Sequence, residues 1–275
     1  LGGLALYVSV FFSVWAGVLG VLGGLRRSPA LVASAERGVV AVFVLLSLAM
    51  IGLEAALLGD RFDLAFVASI STREQPWLFK VALWGGQAGS LLLWTWMLGL
   101  MGFLAVAQNR RRNRTLMPWV IAVMMLNVVF FAALCSFVSN PFEALPPGSA
   151  WSSGQGMNPL LQHPAMLIHP PVLYVGFIGF SVPFAFACAA LITGELGTAW
   201  FETTRRWSLT AWFFLGMGLM LGGRWAYEVL GWGGYWAWDP VENSSLMPWL
   251  AGTAFLHSVM IQEKRGMLKV WNFAL

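Results

Sequence analysis

Charged side chains are scarce in this sequence. Only 10% of its 275 residues are Asp, Glu, Lys or Arg, whereas 59% are hydrophobic and the mean hydropathy is +0.72. Because a soluble domain carries about a quarter charged residues, this composition excludes a soluble globular protein. The net charge of +4 gives no reason to expect a nucleic-acid partner. The chain is predicted to be a polytopic membrane protein that is embedded in lipid.

Cysteines and common catalytic motifs are also few. Cys135 and Cys188 are the two cysteines, and their predicted helices place them roughly 20 Å apart in depth. A disulfide requires Cα atoms within about 7 Å, so we expect two unpaired thiols. The sequence has no G-x-S-x-G, H-E-x-x-H, phosphate-loop or C-x-x-C motif, which disfavours the corresponding hydrolases, nucleotide-binding proteins and thiol oxidoreductases.

What the sequence does contain is a series of long apolar runs. Runs of about 20 residues predict transmembrane helices, and seven are present, at 4–25, 39–58, 77–107, 117–138, 170–194, 208–227 and 248–263. The third is too long for one straight span, so part of it should tilt or extend beyond the bilayer. The predicted fold is an all-α polytopic membrane protein, with residues 1–275 forming one integral membrane domain of about seven transmembrane helices.

The cations are distributed unevenly between the two sides of these spans. Only Arg61, Arg73, Lys80 and Arg224 fall on one side, and the other twelve fall on the opposite side: Arg26, Arg27, Arg37, Arg110, Arg111, Arg112, Arg114, Arg205, Arg206, Lys264, Arg265 and Lys269. The positive-inside rule assigns the larger group to the cytoplasm, which leaves the N-terminus outside. The first span reads as an anchor and not a cleaved signal peptide, because no charge precedes it. An apolar run begins again before Leu275, so we expect the natural chain to continue.

Two of the predicted outer segments have unusual composition. The periplasmic loop 139–169 is rich in proline, which rules out a continuous helix and predicts an ordered irregular loop. Pro170 and Pro171 should then start the fifth helix. The second outer segment, 228–247, is rich in tryptophan and glycine.

The Trp-rich segment predicts a surface for a flat ligand such as a porphyrin, because its aromatic faces allow stacking and its glycines allow close approach of the backbone. The aromatic residues are Trp232, Tyr235, Trp236 and Trp238. Three polar residues follow, which either cap the next helix or contact the ligand: Asp239, Glu242 and Asn243. The alternative is an interfacial aromatic belt with no ligand.

Two histidines are candidate axial ligands of haem iron. His257 should lie about 14 Å deep in a hydrocarbon core of about 30 Å, where ionisable groups usually have a function; a neutral, hydrogen-bonded imidazole is the alternative. His169 precedes Pro170 at the outer membrane boundary and is either an ordinary interfacial residue or a ligand of an externally presented metal. We expect His169 and the Trp-rich segment to share the extracytoplasmic side and form one porphyrin dock.

Residues 238–249, WDPVENSSLMPW, resemble the Trp-rich WWD signature of haem-handling proteins. In this form the segment is similar to that of the CcmF-type haem lyase subunits of system I cytochrome c maturation. Further passages agree with that family in order, at 83–94, 156–162, 168–171 and 257–266. Ala88 departs from it, because an acidic residue is expected there.

The resemblance implies a function. Such a subunit accepts haem from the periplasmic haem chaperone CcmE and positions it for thioether attachment to the reduced CxxCH motif of apocytochrome c, which a CcmH-type subunit presents. It implies two haem b groups, one stable within the membrane and one transient periplasmic substrate. His257 matches the first ligand of the intramembrane haem, and His169 matches the first ligand of the periplasmic haem. The second ligands would lie beyond Leu275, and the active face would be the periplasmic face of the bacterial inner membrane.

Two other functions remain possible from the sequence. A membrane electron-transfer protein would hold a structural b-haem without an attachment role. A haem or solute transporter usually shows inverted repeats and helices broken at the midplane, and no such repeat is evident. A specialised lyase that serves unusual haem motifs cannot be separated from a general one.

Overall fold

The computed structural model describes residues 1–146, 148, 151–195, 197 and 199–275. In these residues the chain forms helices and turns, and Leu64 and Ala144 form one isolated bridge. The chain divides into two compact units, Leu1–His163 and Pro164–Leu275. Part of the predicted loop 139–169, namely residues 147, 149 and 150, lies outside the described residues.

The first unit is built from four long helices and two short ones. In chain order they are α1 (Gly2–Leu25), α2 (Pro29–Leu58), α3 (Ala65–Ile70), α4 (Trp77–Lys80), α5 (Gln87–Asn109) and α6 (Met117–Ala133). A π-helical turn, Leu134–Val138, extends α6. Helix α1 packs against α2 and α6. Helix α5 also packs against α2 and α6.

Small residues form the contact surface of α1. Ser9, Ser13 and Ala16 are fully buried, whereas Phe11 and Trp15 are exposed. This inverts the pattern of a soluble helix and is typical of membrane helices, in which small residues permit close backbone approach and large apolar ones face lipid.

The second unit consists of α7 (Pro164–Gly179), α8 (Ser181–Thr193), α9 (Ala199–Val229), α10 (Pro240–Arg265) and α11 (Lys269–Ala274). Helix α9 packs against α7 and also against α10. It therefore separates the surface that faces α7 from the surface that faces α10, and this arrangement positions the candidate site.

Five helical segments are long and apolar enough to cross a membrane: Gly2–Leu25, Pro29–Leu58, Gln87–Asn109, Met117–Val138 and Pro164–Thr193. Helices α9 and α10 have 31 and 26 residues, but Gly, Ser, Thr and Trp lower the hydropathy of their central parts. The predicted class, an all-helical polytopic membrane protein, is confirmed. The number of seven spans and the orientation in the membrane stay predictions.

Five helices start six or more residues from the predicted start of their span. Helices α2, α9 and α10 begin eight to ten residues earlier, α7 begins six residues earlier, and α5 begins later. In the segment 77–107 the long helix begins only at Gln87, after α4 and a 3-10 turn at Leu83–Gly85. Helix α7 begins at Pro164, and Pro170 and Pro171 lie inside it. Pro164 occupies the first turn, where its missing N–H is tolerated. As a consequence, His169 lies in the second turn of α7 and not ahead of the helix.

Backbone hydrogen bonds order the outer loop of the first unit. Ala65 N–H donates to Glu143 O at 2.9 Å, Leu145 N–H donates to Asp63 O at 2.8 Å, and Gln155 N–H donates to Ala68 O at 2.8 Å. The loop is thus irregular but tied to residues 63–68. The prediction of unpaired thiols is also confirmed, since Cys135 and Cys188 are both free, the first buried and the second half-buried.

A buried ion pair in this unit supports a prediction about stability. Lys80 Nζ lies 2.6 Å from Asp60 Oδ1, with 8% and 28% of the side chains exposed. Asp60→Ala leaves a buried ammonium without its carboxylate and should lower the free energy of unfolding by about 2–3 kcal/mol. The Tm in detergent would measure the loss.

A matched control is Asp63→Ala, which removes an exposed ion pair to Arg61 at 2.7 Å. This substitution should lower the free energy of unfolding by less than about 1 kcal/mol. Equal shifts of Tm for the two variants would contradict the prediction.

Candidate functional site

The two faces of α9 carry different chemistry. Successive residues of an α-helix are about 100° apart around its axis, so Gly218, Gly222 and Trp225 share one face. Trp212, Gly216, Met220 and Gly223 fall on the opposite face. The first face meets His169 of α7, and the second lines a cavity.

His169 lies against the backbone of α9. Its Nδ1 is 2.9 Å from the Gly218 carbonyl oxygen, and its ring is nearly parallel to the Trp225 ring, with centroids 6.4 Å apart and an interplanar angle of 16°. A Cβ at Gly222 would lie 2.6 Å from His169 Cε1. Only glycine at position 222 therefore leaves room for the imidazole in this position.

The hydrogen bond to Gly218 determines the tautomer of His169. A carbonyl oxygen only accepts, so Nδ1 carries the proton and Nε2 keeps its lone pair. Among the described residues, the hydrogen bond of the His169 ring is the one at Nδ1, and it leaves Nε2 available. Histidines that bind a metal commonly donate their other N–H to a backbone carbonyl in this way.

The cavity on the opposite face has a volume of about 920 Å³ and mostly apolar walls, within the usual range for ligand pockets. Its aromatic walls come from α9, α10 and the Trp-rich segment: Trp212, Phe213, Tyr235, Trp236, Trp238 and Trp249. Among its described lining residues, Arg224 is the only charged one. Such a space suits a large, flat, mostly apolar molecule.

A stacked indole pair, Trp212 and Trp249, forms one wall of the cavity. The ring centroids are 5.6 Å apart with an interplanar angle of 14°. A Cβ at Gly216 would lie 2.7 Å from Trp249 Nε1. The Trp249 ring can therefore pack here only because residue 216 of α9 has no side chain. Trp212 Nε1 donates to Thr253 Oγ1 at 2.7 Å. Neither Trp212 nor Thr253 is predicted from the sequence.

The Trp-rich segment contributes only some of its aromatic rings to the cavity. Tyr235 lines it and stacks on Tyr227 at 4.5 Å, and Trp236 and Trp238, which also line it, make an edge-to-face pair at 6.0 Å. Trp232 folds over Gly234 instead and is not among the lining residues of the described chain. Gly231 and Gly233 have φ of +70° and +75°, so they are needed for the turn itself.

The three polar residues after Trp238 hold this segment on α10. Asp239 is the N-cap and accepts from Glu242 N–H at 2.8 Å, while the Glu242 carboxylate accepts from Ala237 N–H at 2.8 Å and Asp239 N–H at 3.4 Å. Asn243 Nδ2 donates to Trp238 O at 3.1 Å. The predicted capping role of Asp239 is confirmed. These side chains position Trp236 and Trp238, and none of the three lines the cavity.

His257 lies on α10, two turns after Trp249 and one turn after Thr253. Its Nδ1 is 2.8 Å from the Thr253 carbonyl oxygen, so Nδ1 donates this bond and Nε2 is the ring nitrogen that the bond leaves free. The side chain is exposed on the surface of the unit. Trp249, Thr253 and His257 follow one face at intervals of four residues, and this spacing was the sequence signal that could have identified Thr253.

The structure thus groups the predicted residues into three places. Tyr235, Trp236 and Trp238 share the cavity, whereas His169 lies on the other face of α9 and His257 lies roughly 12 Å from Trp249 along α10, by helix rise. The predicted joint dock of His169 and the Trp-rich segment is not assembled around the cavity in the described residues.

The capping box gives a direct prediction. Asp239→Ala should weaken the start of α10 by about 1 kcal/mol, because the Glu242 N–H loses its acceptor. Amide hydrogen exchange at residues 241–244 should accelerate about fivefold. Asp239→Asn is the control, since Asn caps equally well; equal acceleration in both variants would show that capping is not the cause.

A second prediction concerns the contact between Gly222 and His169. Gly222→Ala should lower the free energy of unfolding by about 1–3 kcal/mol, because the methyl group displaces the imidazole. The double variant Gly222→Ala with His169→Ala should recover most of that loss, and Tm values of the four proteins measure the coupling. Strictly additive losses would mean that the clash does not involve the imidazole.

Comparison with known proteins places this arrangement in a family. The model of the cytochrome c assembly protein family matches residues 84–275. The chain is 43% identical to the cytochrome c-type biogenesis protein CcmF of Pseudomonas aeruginosa, covering 100% of the chain and 42% of that protein. Identity to CcmF of Escherichia coli is 40%, covering 99% and 41%, and identity to NrfE of Haemophilus influenzae is 41%, covering 91% and 39%.

A solved structure of the cytochrome c haem lyase CcmF matches with a TM-score of 0.86 at 38% identity, covering 100% of this chain and 44% of that one. The chain therefore spans about two fifths of the length of the curated relatives it matches. From its sequence and its helical architecture together, the chain belongs to the cytochrome c assembly protein family and is similar to CcmF haem lyases.

Proposed function

We propose that this chain is the haem-handling part of a haem lyase that attaches haem to apocytochrome c at the periplasmic face of the bacterial inner membrane. The haem arrives from the chaperone CcmE, and a CcmH-type subunit presents the CxxCH motif. Support comes from the family and from relatives named as CcmF and cytochrome c haem lyase. Partners and substrate are part of the proposal.

The observation that carries the proposal is the state of the two imidazoles. His169 and His257 each donate Nδ1–H to a backbone carbonyl, at 2.9 and 2.8 Å. Each bond therefore leaves Nε2 as the ring nitrogen that can bind haem iron when the imidazole is neutral. Two histidines in an apolar chain with the same tautomer are better explained by iron ligation than by packing alone.

His257 fits a resident haem b within the membrane. Its imidazole is exposed on the surface of the unit and is oriented by a hydrogen bond within its own helix. A bound haem would supply one-electron redox chemistry at this position. In this chain His257 Nε2 is the atom that would hold the iron.

The aromatic cavity fits the substrate haem. Besides its volume and apolar walls, two of its lining residues carry buried donors, Trp236 Nε1 and Trp249 Nε1, that have no partner among the described residues. A buried donor without an acceptor is unfavourable, so an acceptor from a ligand or from further protein would stabilise this wall. Trp236 and Trp238 provide stacking faces, and Asp239, Glu242 and Asn243 hold those rings in place.

The role of the protein in attachment is mainly positional. In each thioether step a cysteine S–H adds across a vinyl C=C bond: sulfur bonds to one carbon, the proton goes to the other, and nothing leaves. The step needs ferrous haem and reduced thiols. Holding the porphyrin in one orientation beside the thiols converts an encounter between free molecules into an ordered reaction, which lowers the entropic part of the barrier.

Because α9 separates His169 from the cavity, the proposal has two versions that experiments distinguish. Either one substrate haem extends past α9 and contacts both His169 and the Trp-rich segment, or the two hold haem at successive stages. If one haem contacts both, His169→Ala and Trp249→Ala abolish the same bound species. If the stages are successive, the two variants accumulate different species.

The histidines give the main functional prediction. In the full-length protein, His257→Ala should remove or shift the reduced-minus-oxidised spectrum of the intramembrane haem, because an axial ligand is lost. His169→Ala should leave that spectrum intact and abolish formation of holocytochrome c, measured by covalent haem on the cytochrome.

His163→Ala is the matched control, since this loop histidine precedes α7 and has no proposed ligand role. It should change neither readout. Unchanged attachment in His169→Ala would remove His169 from the mechanism. Haem binding without any attachment in the wild-type system would instead favour a membrane electron-transfer protein.

A further inference from the structure

Arg224 lies at the rim of the aromatic cavity, in the last two turns of α9. Its side chain is 71% exposed, whereas the other described lining residues are uncharged. A cation at this position is unusual, because the remaining cavity surface is aromatic, aliphatic or glycine. It gives the cavity one edge that attracts anions.

The guanidinium of Arg224 is only partly used. Its Nε donates to Glu228 Oε1 at 2.8 Å, one turn further along the helix. A guanidinium carries five N–H donors in a planar fork, so this bond leaves four on the two terminal nitrogens. The fork matches carboxylate geometry and can hold a second carboxylate.

We infer that Arg224 binds a propionate carboxylate of the porphyrin and thereby selects which edge of the ring faces the rim. This inference rests on the proposed function. Apart from its metal centre, the anionic carboxylates are the charged groups of protoporphyrin, and burying them in an apolar cavity without a partner is strongly unfavourable. The exposed cation at the rim is the position at which they remain both paired and hydrated.

The consequence for the reaction is orientation. The two propionates and the two vinyl groups lie on opposite edges of protoporphyrin. Holding the propionate edge at Arg224 therefore directs the vinyl edge to the other side of the cavity, and the thiols of an incoming CxxCH motif must approach from there. Arg224 is a specificity-determining residue in this inference and takes no part in bond formation.

The exposure of Arg224 makes the contact readily reversible. Glu228 stays on Nε, and an incoming propionate forms a second exposed ion pair with the terminal nitrogens. Exposed pairs contribute at most about 1 kcal/mol each, which suits a substrate that must later leave with the cytochrome. We therefore expect a modest change in affinity, about three- to tenfold.

Binding of zinc protoporphyrin IX and of its dimethyl ester to the full-length protein tests the inference. Both are fluorescent, and the ester lacks the negative charges. Arg224→Ala should weaken binding of the diacid about three- to tenfold and change binding of the ester less than about twofold. Arg224→Lys should restore part of the affinity, because it keeps the charge but not the fork.

The matched control is Arg205→Ala, which removes the other ion-paired arginine of α9, bonded to Glu263 at 3.4 Å. It should affect neither porphyrin. Equal loss for diacid and ester in Arg224→Ala, or no loss for either, would overturn the inference. Trp249→Ala separates this from the proposed function: if it weakens neither porphyrin, the cavity is not a haem site, whatever Arg224 does.

Discussion

The close contact between aromatic side chains and bare backbone of α9 is the constraint on which both candidate sites depend. At Gly222 a Cβ would lie 2.6 Å from His169 Cε1, and at Gly216 a Cβ would lie 2.7 Å from Trp249 Nε1. These positions are on opposite faces of the helix. Gly222 therefore admits the imidazole of His169 from α7, and Gly216 admits the indole of Trp249 from α10. Glycine in a helix is destabilising by about 1 kcal/mol relative to alanine, and this cost accompanies both contacts.

The same helix explains why a single dock does not form around the cavity. An α-helix with side chains is about 10 Å across, so rings on its two faces cannot share one contact. The cavity wall is connected instead to α10, where Trp212 donates to Thr253 Oγ1 and the Thr253 carbonyl accepts from His257. Thr253 thus contacts Trp212, in the wall of the proposed substrate cavity, and also His257, the proposed ligand of the resident haem.

Composition and local chemistry were sufficient to predict the membrane class of the protein and the N-cap of α10. Membrane class follows from scarce charge, and the cap at Asp239 follows from an acidic residue before Pro240, because both depend on properties of adjacent residues. The start of α7 did not follow, since Pro170 and Pro171 are tolerated inside a helix that Pro164 begins. Trp212 was not identified either, because its role depends on packing against α10. The positive φ of Gly231 and Gly233 was not predicted, because the turn that requires it is not evident from the sequence.

The two histidines are held by different kinds of contact, and this has consequences for what each can bind. His257 is fixed by a carbonyl four residues earlier in its own helix, so its orientation survives movement of the neighbouring helices. His169 on α7 is fixed by a carbonyl of α9, so any sliding of α7 along α9 changes its direction. Under the proposed function, a locally fixed ligand suits the resident haem, and a ligand fixed by tertiary packing suits the substrate haem, which must later leave.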